Sequence, residues 1–296
     1  MKLLTFNTHS LIEKDYDRKL EQFTCFIARE QPEVFCLQEV NQTRTAAVKP
    51  DESMPGFIRS CASEEPVRED NHAASLAELL RQSGICYQWT WTGAKIGYDR
   101  YDEGLAIFSR SPILETKQFY ISGSTDYENW KSRKVLGIRT TEIGETSDGS
   151  SSWFYTMHMG WWKDEEEPFQ EQWDRFQQVV SPDTEETLWL LGDFNSRADL
   201  RGEGYDYIRR HGWLDTWELA EMKDSGVTVG GAIDGWRDPK DNGQNRGMRI
   251  DYIWINRPER ISRFQVVLNG QSDPVLSDHY GVMVETEEIE NRRNRN

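Results

Sequence analysis

From Lys2 to Val284 the chain alternates short apolar runs of strand length with segments whose apolar residues recur at helical spacing. That alternation is the signature of an α/β architecture, in which helices cover the apolar faces of sheets. Strands are expected at residues 2–8, 34–40, 87–91, 104–109, 135–141, 153–158, 187–191, 249–255, 264–268 and 280–284. Helices are expected at 16–30, where Leu20, Phe23 and Ile27 share a face, at 72–82 behind an Asn71 cap, and at 169–180. Two polar stretches, 41–69 with Pro50, Pro55 and Pro66 and the Gly-rich 223–247, read as long excursions. There is no internal repeat and no dividing linker, so one domain is expected over 1–286, followed by a polar tail at 287–296.

Charge narrows the partners. Lys plus Arg is 35 against 51 Asp plus Glu, a formal charge of −16. An acidic surface offers few cations to displace the counterions around a polyanion, which disfavours nucleic acid as a partner. A small anionic substrate meets less of that field. Cys25, Cys36, Cys61 and Cys86 form no CxxC pair and read as reduced structural thiols. The first residues turn polar too soon for a signal peptide. No apolar run approaches the roughly 20 residues that span a bilayer. A cytoplasmic protein with no membrane partner is the expectation.

The chemistry lies where acids, amides and histidines meet strand ends. Asn7 closes the first strand and Glu39 the second, in Gln38-Glu39-Val40. Asp193 and Asn195 follow a run of apolar residues in Leu191-Gly192-Asp193-Phe194-Asn195. Asp251 sits inside Ile250-Asp251-Tyr252-Ile253, and Asp278-His279 precedes the terminal strand. An acid at a strand end is by default a turn residue facing solvent. Asp251 resists that default because its neighbours read as core, and a buried carboxylate without a partner costs several kcal/mol, roughly. One shared ligand explains several such residues together. Oxygen donors without a Cys or His cluster favour Mg²⁺, or Mn²⁺, over zinc. Two histidines with carboxylate partners suit proton transfer near neutral pH, whereas His9, His72 and His211 take the default reading of packed or surface residues.

The ordered set Asn7, Gln38-Glu39, Glu103-Gly104 with Ser109-Arg110, His158, Gly192-Asp193-Phe194-Asn195, Arg249-Ile250-Asp251-Tyr252 and Ser277-Asp278-His279 resembles the endonuclease/exonuclease/phosphatase superfamily. The resemblance implies a four-layer α/β/β/α sandwich of two mixed sheets flanked by helices, with the site at the strand ends between the sheets. It implies that Glu39 binds the catalytic Mg²⁺, helped by Asn7 and Asp278. Asp193 and Asn195 would position the attacking water and stabilise phosphoryl oxygens, and His279 would contact the scissile phosphate, oriented by Asp251. His158 would pair with Glu103 as a second acid/base dyad, which is similar to the branch of pancreatic-type nucleases and sphingomyelinases.

Aromatic clusters in the excursions bear on the substrate. Trp161-Trp162 directly follows the His158 segment, and Tyr98-Asp99-Arg100-Tyr101 and Asp234-Gly235-Trp236 flank other motifs. Any one of these rings is by default packing. Ring faces beside Asp and Arg side chains suit a sugar, and would suit stacked bases too, so Trp161, Trp162, Tyr101, Trp236 and Arg100 are the candidate substrate contacts. These loops look like a bacterial branch of the superfamily that includes maltose 6′-phosphate phosphatases. The expectation is a Mg²⁺-dependent phosphomonoesterase acting on a small sugar phosphate, with maltose 6′-phosphate a candidate. The rivals are a phosphodiesterase, nuclease or sphingomyelinase-like, and a non-catalytic binding module.

Overall fold

The computed structural model describes residues 1–62, 65–141, 151–231 and 247–287. Trp236, its loop and residues 288–296 of the expected tail lie outside the described residues. In chain order the elements are β1 (Lys2–Asn7), α1 (Tyr16–Glu30), β2 (Val34–Thr43), α2 (His72–Gln82), β3 (Gln88–Gly97), β4 (Tyr101–Ser109) and β5 (Ile113–Tyr120). They continue with β6 (Lys134–Thr141), β7 (Ser151–His158), α3 (Phe169–Val179), β8 (Thr187–Asp193), α4 (Gly204–Arg210), β9 (Leu214–Asp215) and α5 (Thr216–Leu219). The last are β10 (Met222–Lys223), β11 (Asp251–Ile255), β12 (Ile261–Val267) and β13 (Gly281–Thr286).

Among the described residues the strands form two mixed sheets, ordered β10-β12-β13-β1-β2-β4-β3 and β5-β6-β7-β8-β11-β9. Strand parity assigns their faces. Leu3, Val34, Cys36, Ile107, Leu191 and Ile253 point into the layer between the sheets. Their neighbours in sequence, Leu4, Phe35, Leu37 and Phe108, turn the other way to meet Leu20, Phe23 and Ile27 of α1 and Leu76 and Leu80 of α2. On the far side, Trp173 and Phe176 of α3 pack with Leu190 and Trp254. The result is the expected four layers. The four cysteines are free thiols.

The strand β5 was not expected, because its alternation is half exposed and carries Glu115, Thr116 and Lys117. It is an edge strand whose backbone pairs with β6, so partner hydrogen bonding rather than apolar periodicity defines it. The stretch 41–69 is mostly loop, although β2 runs on to Thr43. No helix among the described residues is long and apolar enough to cross a membrane.

Candidate active site

Sheet polarity brings the distant motifs to one end of the sandwich. β1 runs parallel to β2 and β4 runs antiparallel to it, so the ends of β1 and β2 meet the start of β4. The register from Leu37 to Val40 holds one residue too many against β4. This bulge lets Gln38 and Glu39 depart from strict alternation. Gln38 reaches into the inter-sheet layer and donates to the Thr156 hydroxyl of β7 at 2.8 Å. Glu39, at a φ of 53°, turns to the sheet end. A left-handed backbone is costly for a residue with a Cβ, so this geometry is held by its surroundings.

In the second sheet, His158 of β7 lies opposite Asp193 of β8, and Asp193 lies opposite Asp251 of β11. Three reactive side chains thus stand in one row across three strands. Gly192 permits it: a Cβ there would come to 2.2 Å from the carbonyl oxygen of Met157 on β7.

Asn7 ties the two sheets together. Its Nδ2 donates to Glu39 Oε1 at 2.9 Å and to Asp193 Oδ2 at 3.1 Å, while its Oδ1 accepts from the backbone N–H of His9 at 3.2 Å. The amide therefore presents its nitrogen to both carboxylates. Asp193 Oδ1 accepts the backbone N–H of Asn195 at 2.9 Å, and the Asn195 amide donates to the carbonyl of Met159 at 2.9 Å. His279 Nδ1 is 3.0 Å from Asp251 Oδ2, and its Nε2 is 3.7 Å from Asp193 Oδ2. On the other side of the same oxygen, His158 Nε2 is 3.6 Å away.

The two histidines sit in opposite electrostatic settings. Burial pulls the His279 pKa down, but the Asp251 and Asp193 carboxylates outweigh it and hold the ring at about 10. Burial, reinforced by the positive charges of Arg133 and Lys95, pushes His158 well below the usual histidine range. Glu103 at 3.7 Å and Glu39 at 4.0 Å from its Nδ1 are too far to hydrogen-bond, and that nitrogen is buried without a partner. The expected His158–Glu103 dyad is thus a pair of neighbours without a hydrogen bond, and the same Glu103 Oε1 meets Lys95 Nζ at 3.1 Å. Asp193 is pushed up to about 7 by burial and by Asp251 beside it. Burial and Glu103 raise Glu39 also.

Acids pressed together in this way suit a hard divalent cation, since a cation relieves repulsion that water no longer screens. Glu39 and Asp278 offer carboxylate oxygens on the side of the site facing His9, and Asp278 adds to the field on Glu39. His9, two residues after Asn7 and by default a packed or surface residue, lies at this edge of the site. At a φ of 50° it places Nδ1 2.7 Å from Glu13 Oε1 and 3.9 Å from Asp278 Oδ1, with Nε2 3.3 Å from the Tyr98 hydroxyl. His72, held at about 3 by burial, and His211 bond locally to Tyr16 and to the Tyr207 carbonyl.

The aromatic candidates separate. Trp162 packs on Phe169 and Tyr207, and Tyr101 is a strand residue only 8% exposed. Arg100 is exposed and lies over the Tyr101 ring. Trp161 stands 6.1 Å from the ring of Trp130, which is 52% exposed and did not figure in the sequence reading.

A two-sheet sandwich with a carboxylate, amide and histidine site at the strand ends defines a class of phosphoester-cleaving enzymes. The chain matches the endonuclease/exonuclease/phosphatase family over residues 4–279 and belongs to it. It is a phosphoester hydrolase. Among solved structures it is similar to a family protein from Leptotrichia buccalis, with 28% identity, coverage of 97% of this chain and 100% of the other, and a TM-score of 0.82. A mannosyl-6-phosphatase of Bacteroides thetaiotaomicron shares 14% identity over 97% of this chain and 100% of its own, at a TM-score of 0.63. A D. rerio TDP2 in complex with a single-strand DNA product shares 15% identity over 97% and 99%, at 0.58. A comparison with curated proteins finds no significant match.

Proposed function

We propose that the enzyme is a divalent-metal-dependent phosphomonoesterase acting on a small sugar phosphate, with maltose 6′-phosphate first among the candidates. The observation that carries the hydrolytic reading is Asp193, raised to about 7 and flanked on one oxygen by two histidines, one cationic and one neutral. Paired titratable groups driven apart by their surroundings take the acid and base roles. His279, an imidazolium at neutral pH, stabilises the phosphoryl oxygens and donates its proton to the leaving alcohol oxygen as the P–O bond to it breaks. Asp193 accepts the proton of the attacking water, and neutral His158 relays it. The backbone N–H of Asn195 and the amide of Asn7 fix the Asp193 carboxylate for that task. Mg²⁺ or Mn²⁺, held by Glu39 and Asp278 with Asn7 orienting Glu39, would supply charge neutralisation at the phosphate. The sugar reading is supported by the Trp130–Trp161 pair, by the −16 charge that disfavours a polyanion, and by similarity to a sugar phosphatase.

Phosphate release tests it, with Mg²⁺ and with EDTA, on maltose 6′-phosphate, hexose phosphates, a nucleotide and plasmid DNA. Release from phosphorylated sugars alone, abolished by EDTA, is the expected result. Plasmid nicking with silence on sugars would establish the phosphodiesterase instead.

Two further outcomes are expected. The pH profile of kcat/KM should rise as Asp193 loses its proton near 7 and fall as His279 loses its proton near 10. Asp251→Asn removes a carboxylate that raises both groups, while burial of His279 remains. Both limbs should therefore move to lower pH, and an unmoved profile would remove Asp251 from the site. Trp130→Ala and Trp161→Ala should each raise KM for a sugar phosphate, on the order of 10-fold, with a smaller effect on kcat. An unchanged KM in both would return these rings to packing.

A further inference from the structure

Two buried cations beside the site have no part in the proton transfers above. Lys95 is 7% exposed and Arg133 is 4% exposed. Charges taken out of water are retained where partners compensate them, yet both groups are under-used. Lys95 lies beyond a bulge in β3: one extra residue between Gly93 and Lys95 sets it opposite Glu103. Its Nζ meets Glu103 Oε1 at 3.1 Å, and the same oxygen is 3.7 Å from His158 Nδ1. An ammonium has three N–H groups, and Glu103 is its one partner among the described residues. Arg133, just before β6, donates from Nη1 to the carbonyls of Trp130 at 2.9 Å and Ser132 at 3.1 Å. Its Nε is buried without a partner, and it makes no ion pair among the described residues. The buried Nδ1 of His158 is likewise unpartnered. Two unpartnered nitrogens, Arg133 Nε and His158 Nδ1, and an ammonium with a single partner thus lie around Glu103, at the edge of the reactive row. The fields agree: Arg133 and Lys95 both act on His158, and Arg133 acts on Lys95.

We propose that Lys95 and Arg133 form an anion-binding wall of the phosphate pocket, which takes the non-bridging oxygens carrying the second negative charge of a phosphomonoester and so selects monoesters over diesters. This inference rests on the phosphomonoesterase reading and names the residues that enforce it. A diester brings one negative charge fewer and places an esterified oxygen where the wall expects an anionic one. Unsatisfied N–H groups in a buried wall discriminate strongly, because a ligand that cannot pair with them leaves their desolvation uncompensated.

The test uses the full-length, Mg²⁺-loaded protein with p-nitrophenyl phosphate, bis-p-nitrophenyl phosphate and inorganic phosphate as probes. Lys95→Met keeps the side-chain length and removes the charge. It is expected to lower kcat/KM on the monoester by about 10- to 100-fold, the range for a lost charged hydrogen bond, and to lower it on the diester by only about 3-fold or less. The calorimetric Kd for inorganic phosphate should weaken in the same measure as the monoester, and Lys95→Arg should restore both. Equal losses on both esters with an unchanged phosphate Kd would overturn the inference, because a mere counter-charge for Glu39 and Glu103 would behave so. Arg133→Lys keeps the charge but removes the guanidinium fork, and it is read by the same two measurements. If Lys95→Met fails to fold, an unchanged ester ratio and phosphate Kd in Arg133→Lys overturns the proposal. A wild-type enzyme active on the diester alone would sink the phosphomonoesterase reading itself. A monoester-active wild type whose variants keep its ester ratio sinks only the wall.

Discussion

Replacing His279 by Ala is expected to lower kcat by about 10²- to 10⁴-fold, the usual contribution of a positioned acid–base group. The site explains why the effect should fall on turnover. His279 is the charged member of the histidine pair, anchored on Asp251 at 3.0 Å and facing Asp193 at 3.7 Å. Its loss removes the proton donor and also the cation that separates two buried carboxylates. A stability signature accompanies it. The folded-state pKa of His279, about 10, lies above the unfolded histidine value near 6.5, so its charge stabilises the fold. That stabilisation is fully present below the unfolded value and is lost as pH rises through about 10. The melting temperatures of wild type and His279→Ala should therefore differ at neutral pH and converge above about pH 10. Normal turnover, or a difference that grows with pH, would contradict the role given to this residue.

The second large effect concerns the metal. EDTA should abolish turnover, and Glu39→Gln should raise the Mg²⁺ concentration for half-maximal activity by at least about 10- to 100-fold, the range seen when even an outer-shell partner is lost. Glu39 is held at a left-handed φ of 53° in a bulge, near Glu103 and Asp278, which raise its pKa along with burial. Removing its charge relieves that repulsion, so the metal-free variant should melt no lower than metal-free wild type. Added Mg²⁺ should raise the melting temperature of wild type, because a ligand that binds the folded state stabilises it. It should do so only weakly for Glu39→Gln. Equal Mg²⁺ shifts in the two proteins would place the metal elsewhere.

Much of the fold was legible because its strands are buried on both faces and read as apolar runs, as in β8 and β11. The edge strand β5 was not, since its residues have little to bury and its backbone partner comes from β6. Asn7, Glu39, Asp193, Asp251 and His279 were legible as polar residues at the ends of such runs. Lys95 could have been found by the reasoning that singled out Asp251, because a lysine between Ala94 and Ile96 in a strand is as anomalous as an aspartate beside Ile250. Arg133 gave no signal: Ser132-Arg133-Lys134 is ordinary polar sequence, and burial at the start of β6 alone distinguishes it. The same holds for the tryptophans. Trp161 and Trp162 are adjacent and alike in sequence, but Trp162 is taken up by Phe169 and Tyr207, while Trp161 stands beside Trp130.

The sequence by itself determined the order of most strands and helices and the kinds of group brought to the strand ends. Those follow from local periodicity and from polar residues interrupting apolar runs. Only the tertiary structure decided how these groups are charged. His158 and His279 are both histidines at strand ends with carboxylates nearby, yet one is neutral and the other cationic. The difference arises from Arg133 and Lys95 around one ring and Asp251 and Asp193 around the other. Such fields depend on distances of a few ångströms between residues far apart in the chain, amplified where water is excluded. No local pattern in the sequence encodes them.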